Sequence, residues 1–154
     1  NNFLYLLRMT CYTNKTMIYH NENRTAPAVM IVDDDDCIRE TVYELLHSEN
    51  FSVVTANGCA ECLQHLRNGF HGLILMDVMM PGKNGWETLR EIESHGWMAG
   101  NMVIMLTALG APDDQMDGLQ EIVTDYITKP FDPPELIATL RSYITSLQLL
   151  QITG

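Results

Sequence analysis

Four consecutive aspartates, Asp33-Asp34-Asp35-Asp36, follow directly on the apolar run Val29-Met30-Ile31-Val32, and Asp77 ends a second apolar run, Leu73-Ile74-Leu75-Met76. Thr107 and Lys129 close two later apolar segments. Carboxylates held close together raise one another's pKa unless a cation joins them. A few oxygen donors without His or Cys suit Mg²⁺, which keeps several waters and prefers to share its site with phosphate. If the segment ends meet, Asp33, Asp34 and Asp77 make such a metal site. Asp77 is then a candidate nucleophile of the aspartyl-phosphate kind. Lys129 would hold a nonbridging phosphoryl oxygen or pair with the carboxylate, and the Thr107 hydroxyl would donate to another phosphoryl oxygen. Taken singly, each residue has an ordinary explanation: a solvated charge run that caps a helix, a Thr at a strand end, a surface Lys. Their convergence is what favours chemistry.

The elements that must bring them together are legible in the hydrophobic pattern. From Ala28 onward, short apolar or β-branched runs alternate with amphipathic stretches, the rhythm of βαβ units and a parallel sheet. Strands are expected at Val29 to Val32, Phe51 to Thr55, Leu73 to Met76, Met102 to Leu106 and Tyr126 to Thr128. Between them, Ile38, Val42, Leu45 and Leu46 fall at helical spacing with Asp36 as the expected N-cap. Cys62, Leu63 and Leu66 mark a second helix, Leu89 and Ile92 a third. A fourth is expected from about Pro112 to Glu121, and Leu136, Ile137, Leu140 and Ile144 define a fifth after Pro133-Pro134. In a parallel sheet the carboxyl ends of all strands share one edge, and ligands bind where the strand order reverses. With strand order 2-1-3-4-5, strands one and three are adjacent and the polar strand ends become neighbours.

Composition narrows the possibilities. A chain of 154 residues fits one domain with a core that needs no disulfide or structural metal. Its formal charge of -11, from 20 acidic and 9 basic residues, repels nucleic acid and anionic membranes. Direct nucleic-acid binding and membrane association are therefore not expected. No apolar run approaches the roughly 20 residues that span a bilayer, and Phe3 to Leu7 lacks the flanks of a signal peptide. The reading is a soluble cytoplasmic protein. Residues 1 to 26 show no sustained periodicity and read as a loose extension, either a tag or upstream sequence, ahead of a domain over residues 27 to 150. Cys59-Ala-Glu-Cys62 has C-x-x-C spacing, but without a second ligand pair or a strand directly before it the two read as ordinary helix cysteines.

Val32-Asp33-Asp34-Asp35, Met76-Asp77-Val78-Met79-Met80-Pro81-Gly82, Thr107-Ala108 and Asp125-Tyr126-Ile127-Thr128-Lys129-Pro130-Phe131 occur in an order and at intervals that resemble the receiver domains of two-component response regulators, of the chemotaxis-regulator type. The resemblance covers roughly Ala28 to Leu147. It implies a flavodoxin-like, doubly wound α/β fold: a five-stranded parallel sheet in the order 2-1-3-4-5 flanked by five helices. It implies that Asp77 accepts phosphoryl from a sensor histidine kinase or phosphotransfer protein. Mg²⁺ would be held by Asp34, Asp77 and the Met79 carbonyl, with Asp33 acting through water. It also implies a cis bond before Pro130. Thr107 and Tyr126 would be the switch residues, moving together to remodel the surface around the fifth strand for an unknown downstream effector. Such a chain is a phosphoacceptor and not an enzyme in the usual sense, catalysing only its own phosphoryl transfer and slow autodephosphorylation.

Departures from the family pattern are equally specific. Ile122-Val123 stands where many members have a glycine-containing turn, so that connection is either more rigid or the preceding helix longer. Met79 and Leu109 occupy positions that often tune hydrolysis, and neither can orient water, hence the slow dephosphorylation. From Ala108 onward the basic residues are Lys129 and Arg141, which leaves a charge-paired dimer poorly supported and points to a monomer or weak dimer. Few residues follow the last helix, so a stand-alone receiver or a fragment of a larger regulator is expected. A phosphohydrolase with an aspartate nucleophile would want a second acid where Met79 stands. A flavin or nucleotide module would want a glycine- or hydroxyl-rich loop in place of the four aspartates.

Overall fold

A computed structural model describes residues 28–108 and 118–152. Five strands, β1 (Ala28–Val32), β2 (Ser52–Ala56), β3 (Gly72–Asp77), β4 (Asn101–Ala108) and β5 (Asp125–Lys129), form one sheet in which every pairing is parallel. Their order is β2-β1-β3-β4-β5. The chain therefore winds outward from β1 to β2, then crosses back to β3 and continues the other way. The reversal lies between β1 and β3, and beyond the carboxyl ends at such a point open α/β sheets form their ligand crevice.

The described residues include four helices: α1 (Asp36–Ser48), α2 (Cys59–Arg67), α3 (Gly85–Ser94) and α4 (Pro133–Ile152). The count of five is corrected accordingly. Most of the helix expected at Pro112 to Glu121 falls on residues 109–117, outside the described residues, and Gly118 to Ile122 are turns. The Ile122 amide closes one of these turns on the Leu119 carbonyl at 3.1 Å, and Thr124 then donates to the Val103 carbonyl at 2.8 Å. Of the two readings of Ile122-Val123, a helix that runs on through them is thus excluded.

Strand alternation sorts the core into two layers. Val29, Ile31, Leu73, Leu75, Ile104 and Leu106 face α1 and α4, meeting Val42, Leu46, Leu136, Leu140 and Ile144. Met30, Val32, Ile74, Met76, Val103 and Met105 face the other way, meeting Cys62 and Leu66 of α2 and Trp86, Leu89 and Ile92 of α3. Because β1, β3 and β4 are covered on both faces, they read as continuous apolar runs, as parallel strands do. Each fully buried aliphatic side chain contributes about 1.5–3 kcal/mol relative to exposure. This core makes the carboxyl edge of the sheet a fixed platform.

Helix starts are set by local polar chemistry. Asp35, not Asp36, caps α1: its extended backbone lets its carboxylate accept from the Cys37 and Ile38 amides at 2.9 and 3.3 Å. Asp36 is the first helical residue, where its charge suits the positive end of the helix. Asn84 and Glu87 form a reciprocal capping box at α3, with contacts of 2.9 and 3.0 Å. The two cysteines of the C-x-x-C pair are free, and Cys62 is a core residue whose thiol burial pushes up to about 12. A thiol buried in apolar surroundings with nothing beside it to lower its pKa is unreactive.

Candidate functional site

The register of the sheet dictates who meets whom at the crevice. Val32 of β1 pairs with Met76 of β3, so the residues that follow, Asp33 and Asp77, leave adjacent strand ends side by side. Asp77 pairs in turn with Leu106, which places Thr107 one residue beyond it on β4. Ala108 pairs with Lys129. The carboxylates of Asp33, Asp34 and Asp77 come within 4.8 Å of one another; Asp33 and Asp77 are buried and Asp34 is exposed. Lys129 lies among them, its ammonium 2.7 Å from Asp33 Oδ2 and 3.3 Å from Asp77 Oδ1.

Each acid is held by the backbone around it. The Asp33 amide donates to the Ala56 carbonyl at 3.1 Å, and Asp33 Oδ1 accepts from the Asp35 amide at 2.9 Å. Arg39, one turn into α1, donates from Nη1 to the Asp33 carbonyl at 2.8 Å and also pairs with Asp36. Asp77 Oδ1 accepts from the Met79 amide at 3.3 Å, and the Val78 amide donates to the Leu106 carbonyl at 3.1 Å. The Met79 side chain is 74% exposed. The Lys129–Pro130 bond is cis.

Gly85 supports Asp77 from the far side of the loop. Its amide donates to the Val78 carbonyl at 3.0 Å, and a Cβ at this position would lie 2.4 Å from the Asp77 carbonyl oxygen. Only glycine lets α3 start this close to the strand end. The Asn84-Gly85 turn signal marks the place in the sequence, whereas the packing reason is visible only in three dimensions. Arg39 and Trp86 are further residues that spacing alone does not single out.

Electrostatics distinguish the members. Burial raises the Asp77 carboxyl above its ordinary value; the Lys129 charge opposes this, and Asp33 adds to it. For Lys129, burial works downward, but its hydrogen bond to Asp33 and the charges of Asp77 and Asp33 outweigh it, so the ammonium is held more firmly protonated. One fixed cation therefore faces three carboxylates. The remaining negative charge suits a hard divalent cation, and the grouped donors are all oxygen, so the donor set fits Mg²⁺.

The switch candidates sit further along β4 and β5. Thr107 is half-buried and stands in register with Thr128. Tyr126 is 39% exposed, and its ring lies 6.2 Å from the Trp86 ring, tilted by 44°. Partial burial pushes its phenol above the ordinary value. Leu109 lies outside the described residues, as do residues 1–27 and with them the expected N-terminal extension. No helix among the described residues is long and apolar enough to cross a membrane.

Known proteins are similar to this chain in sequence and in fold. The family model described as the response regulator receiver domain matches residues 29–141. The transcriptional regulatory protein GltR of Pseudomonas aeruginosa is 35% identical over 127 residues, a span of 82% of this chain and 52% of that protein. A CpxR homolog of Haemophilus influenzae is 41% identical over 116 residues, covering 75% of this chain and 49% of its own length. The chain thus spans about half the length of these curated relatives. Among solved structures, a CheY-like receiver domain protein of Methanospirillum hungatei JF-1 matches with a TM-score of 0.76 at 43% identity, covering 79% of this chain and 97% of that one. A similar fold, a matched family model and this degree of identity agree, and the chain belongs to the receiver domain family of two-component response regulators.

Proposed function

We propose that this domain is a phosphorelay switch in which Asp77 takes a phosphoryl group from a sensor histidine kinase or a phosphotransfer protein. The observation that carries the reading is the buried Asp77 carboxylate facing both the Lys129 ammonium at 3.3 Å and two further acids within 4.8 Å. An isolated buried carboxylate would repel an incoming phosphoryl anion. Here a fixed cation stands beside it, and the grouped acids offer oxygen ligands to a second.

An Asp77 carboxylate oxygen attacks phosphorus in line with the leaving group. The donor's P–N bond breaks, its imidazole leaves with the bonding pair and takes up a proton, and an acyl phosphate forms on Asp77. Lys129 neutralises one nonbridging oxygen, and Thr107 donates its hydroxyl to another. Asp33, Asp34, Asp77 and the Met79 carbonyl would hold Mg²⁺, which supplies charge neutralisation and a template for the phosphoryl oxygens. Buried Asp33 is itself tied to Lys129, which leaves exposed Asp34 the more accessible carboxylate. The site stabilises charge and needs no general base.

The Met79 side chain is apolar and points into solvent, so it offers nothing to orient a hydrolytic water. Slow loss of the phosphoryl group follows, with autodephosphorylation the only hydrolysis this chain performs on its own. Thr107, drawn toward the phosphoryl oxygen, vacates space that Tyr126 follows into, and the β5 surface changes for a downstream effector protein. The strongly negative chain disfavours direct nucleic-acid contact by this domain and suits a cytoplasmic monomer or weak dimer. GltR and the CpxR homolog are named as transcriptional regulatory proteins, and this chain spans about half the length of each.

Intact mass after incubation with acetyl phosphate tests the reading. One added phosphoryl group that requires Mg²⁺ and is missing in Asp77→Asn is expected. A folded sample that gains none, and that also fails to bind beryllofluoride, overturns it.

A further inference from the structure

Trp86 is the second residue of α3 and is 1% exposed, yet its indole Nε1 has no hydrogen-bond partner, the one such buried side-chain atom among the described residues. Buried N–H groups are nearly always paired, because an unpaired one forfeits its water without compensation. The core cluster to which it belongs is made of apolar residues such as Met80, Leu89, Val103 and Met105. A thioether is a weak acceptor at best. Against this indole rests Tyr126, the side chain with a polar tip, at a ring separation of 6.2 Å.

The position of Trp86 in the chain is equally particular. Its neighbour Gly85 is pressed against the Asp77 carbonyl, where a Cβ would come within 2.4 Å, and the Gly85 amide is bonded to Val78. A shift of the loop after Asp77 therefore moves the start of α3 directly. Trp86 thus touches the phosphoacceptor loop through the backbone and the Tyr126 ring through its side chain. Met105, a member of the same core cluster as Trp86, is the register partner of Tyr126.

We propose that Trp86 is a positioning residue for the switch: its unpaired indole N–H is taken up by the Tyr126 hydroxyl oxygen when Tyr126 turns inward, and this bond favours the phosphorylated arrangement. The proposal rests on the reading of Asp77 as phosphoacceptor. In the unphosphorylated arrangement the donor is unsatisfied and Tyr126 stands partly exposed, so inward rotation both buries an aromatic ring and satisfies an orphaned donor. The neutral phenol is suited to the task, since it keeps a lone pair for the indole while its proton remains free for another acceptor. An indole is needed for this; phenylalanine or leucine would fill the space without supplying the donor.

The test reads the indole proton directly. The chain has two tryptophans, and Trp97→Phe leaves Trp86 as the single indole resonance in a ¹H–¹⁵N spectrum. Trp97 follows the C-terminal end of α3, where it stacks on His95, and is not among the site residues. On addition of beryllofluoride with Mg²⁺, whose binding at Asp77 is followed separately by ¹⁹F signals, the Trp86 indole proton is expected to move downfield and exchange more slowly. In Tyr126→Phe the same addition should leave it in place, although the fluoride signals still appear. Trp86→Phe should weaken beryllofluoride binding about tenfold, the worth of one ordinary hydrogen bond, while Mg²⁺ affinity in its absence stays unchanged. A second loss should not follow when Tyr126→Phe is added to Trp86→Phe.

Beryllofluoride bound with an unmoved indole overturns the inference and leaves the phosphoacceptor reading intact. An indole response that survives Tyr126→Phe, or additive losses in the double variant, also overturns it. No fluoride binding at all removes both.

Discussion

The two ends of β5 are built on opposite principles. At its carboxyl end Lys129 is fixed by contacts of 2.7 and 3.3 Å to two buried acids, and those acids are themselves held by amides of their own loops. Three residues earlier Tyr126 lies half out of the protein, resting on an indole whose donor is unpaired. Chemistry needs groups fixed before the substrate arrives, because reorganisation during reaction is costly. A switch needs two arrangements close in energy. On the proposed reading, the same strand supplies a rigid end for the reaction and a loosely held end for the response.

That contrast can be broken at its rigid end first. Asp77→Asn should abolish phosphoryl uptake from acetyl phosphate, as read by intact mass, because it removes the carboxylate oxygen that attacks phosphorus. Lys129→Ala should slow uptake by about 10²-fold, the usual worth of one charge-stabilising donor. The same change should tighten Mg²⁺ binding several-fold in a titration, since it removes a competing cation from among three carboxylates. Weaker Mg²⁺ binding in Lys129→Ala would mean that the ammonium organises the acids more than it competes with the metal.

Backbone support should matter next. Gly85→Ala places a methyl against the Asp77 carbonyl, and the backbone atoms it meets cannot swing aside. A loss of about 2 kcal/mol, or roughly 5–10 °C in Tm, is expected from thermal unfolding. An unchanged Tm would show that the start of α3 is not tightly held against the strand end.

A smaller effect of opposite sign comes from charge. Burial raises the folded-state pKa of Asp77 above its ordinary 3.8, so its neutral form is the one that folding favours. That contribution is complete below the unfolded carboxyl range and is lost as pH rises through the raised value. At neutral pH in chelator, Asp77 is thus a destabilising charge. Asp77→Asn should raise Tm there by a few degrees, and the gain should shrink as pH falls through the raised value and be gone below the unfolded carboxyl range. Tyr126→Phe should do least, leaving the uptake rate within about twofold, because the ring contributes to response rather than to reaction.

Much of this architecture is legible in the amino-acid sequence, and for identifiable reasons. Strands β1, β3 and β4 are buried on both faces, so Val29 to Val32, Leu73 to Met76 and Met102 to Leu106 stand out as uninterrupted apolar runs. A polar residue at the end of each such run must lie on the carboxyl edge, which is why Asp33, Asp77 and Thr107 can be grouped from their positions in the chain alone. Adjacent alike residues are harder. Asp35 and Asp36 are equivalent in sequence, and only the extended backbone at Asp35 decides which of them caps α1. Contacts between distant elements are not legible: nothing in Asn84-Gly85-Trp86 announces that the indole meets Tyr126, or that Gly85 is pressed on Asp77. Arg39 likewise reads as a surface helix residue until its bond to the Asp33 carbonyl is seen.

Location of the phosphoryl group tests the central claim most directly. The protein treated with acetyl phosphate and Mg²⁺ is reduced with borohydride, which converts an acyl phosphate to an alcohol, and its peptides are mapped by mass spectrometry. Reduction at Asp77 alone is the predicted result. Reduction at Asp33 or Asp34, or phosphoryl found only on a histidine, would contradict the account.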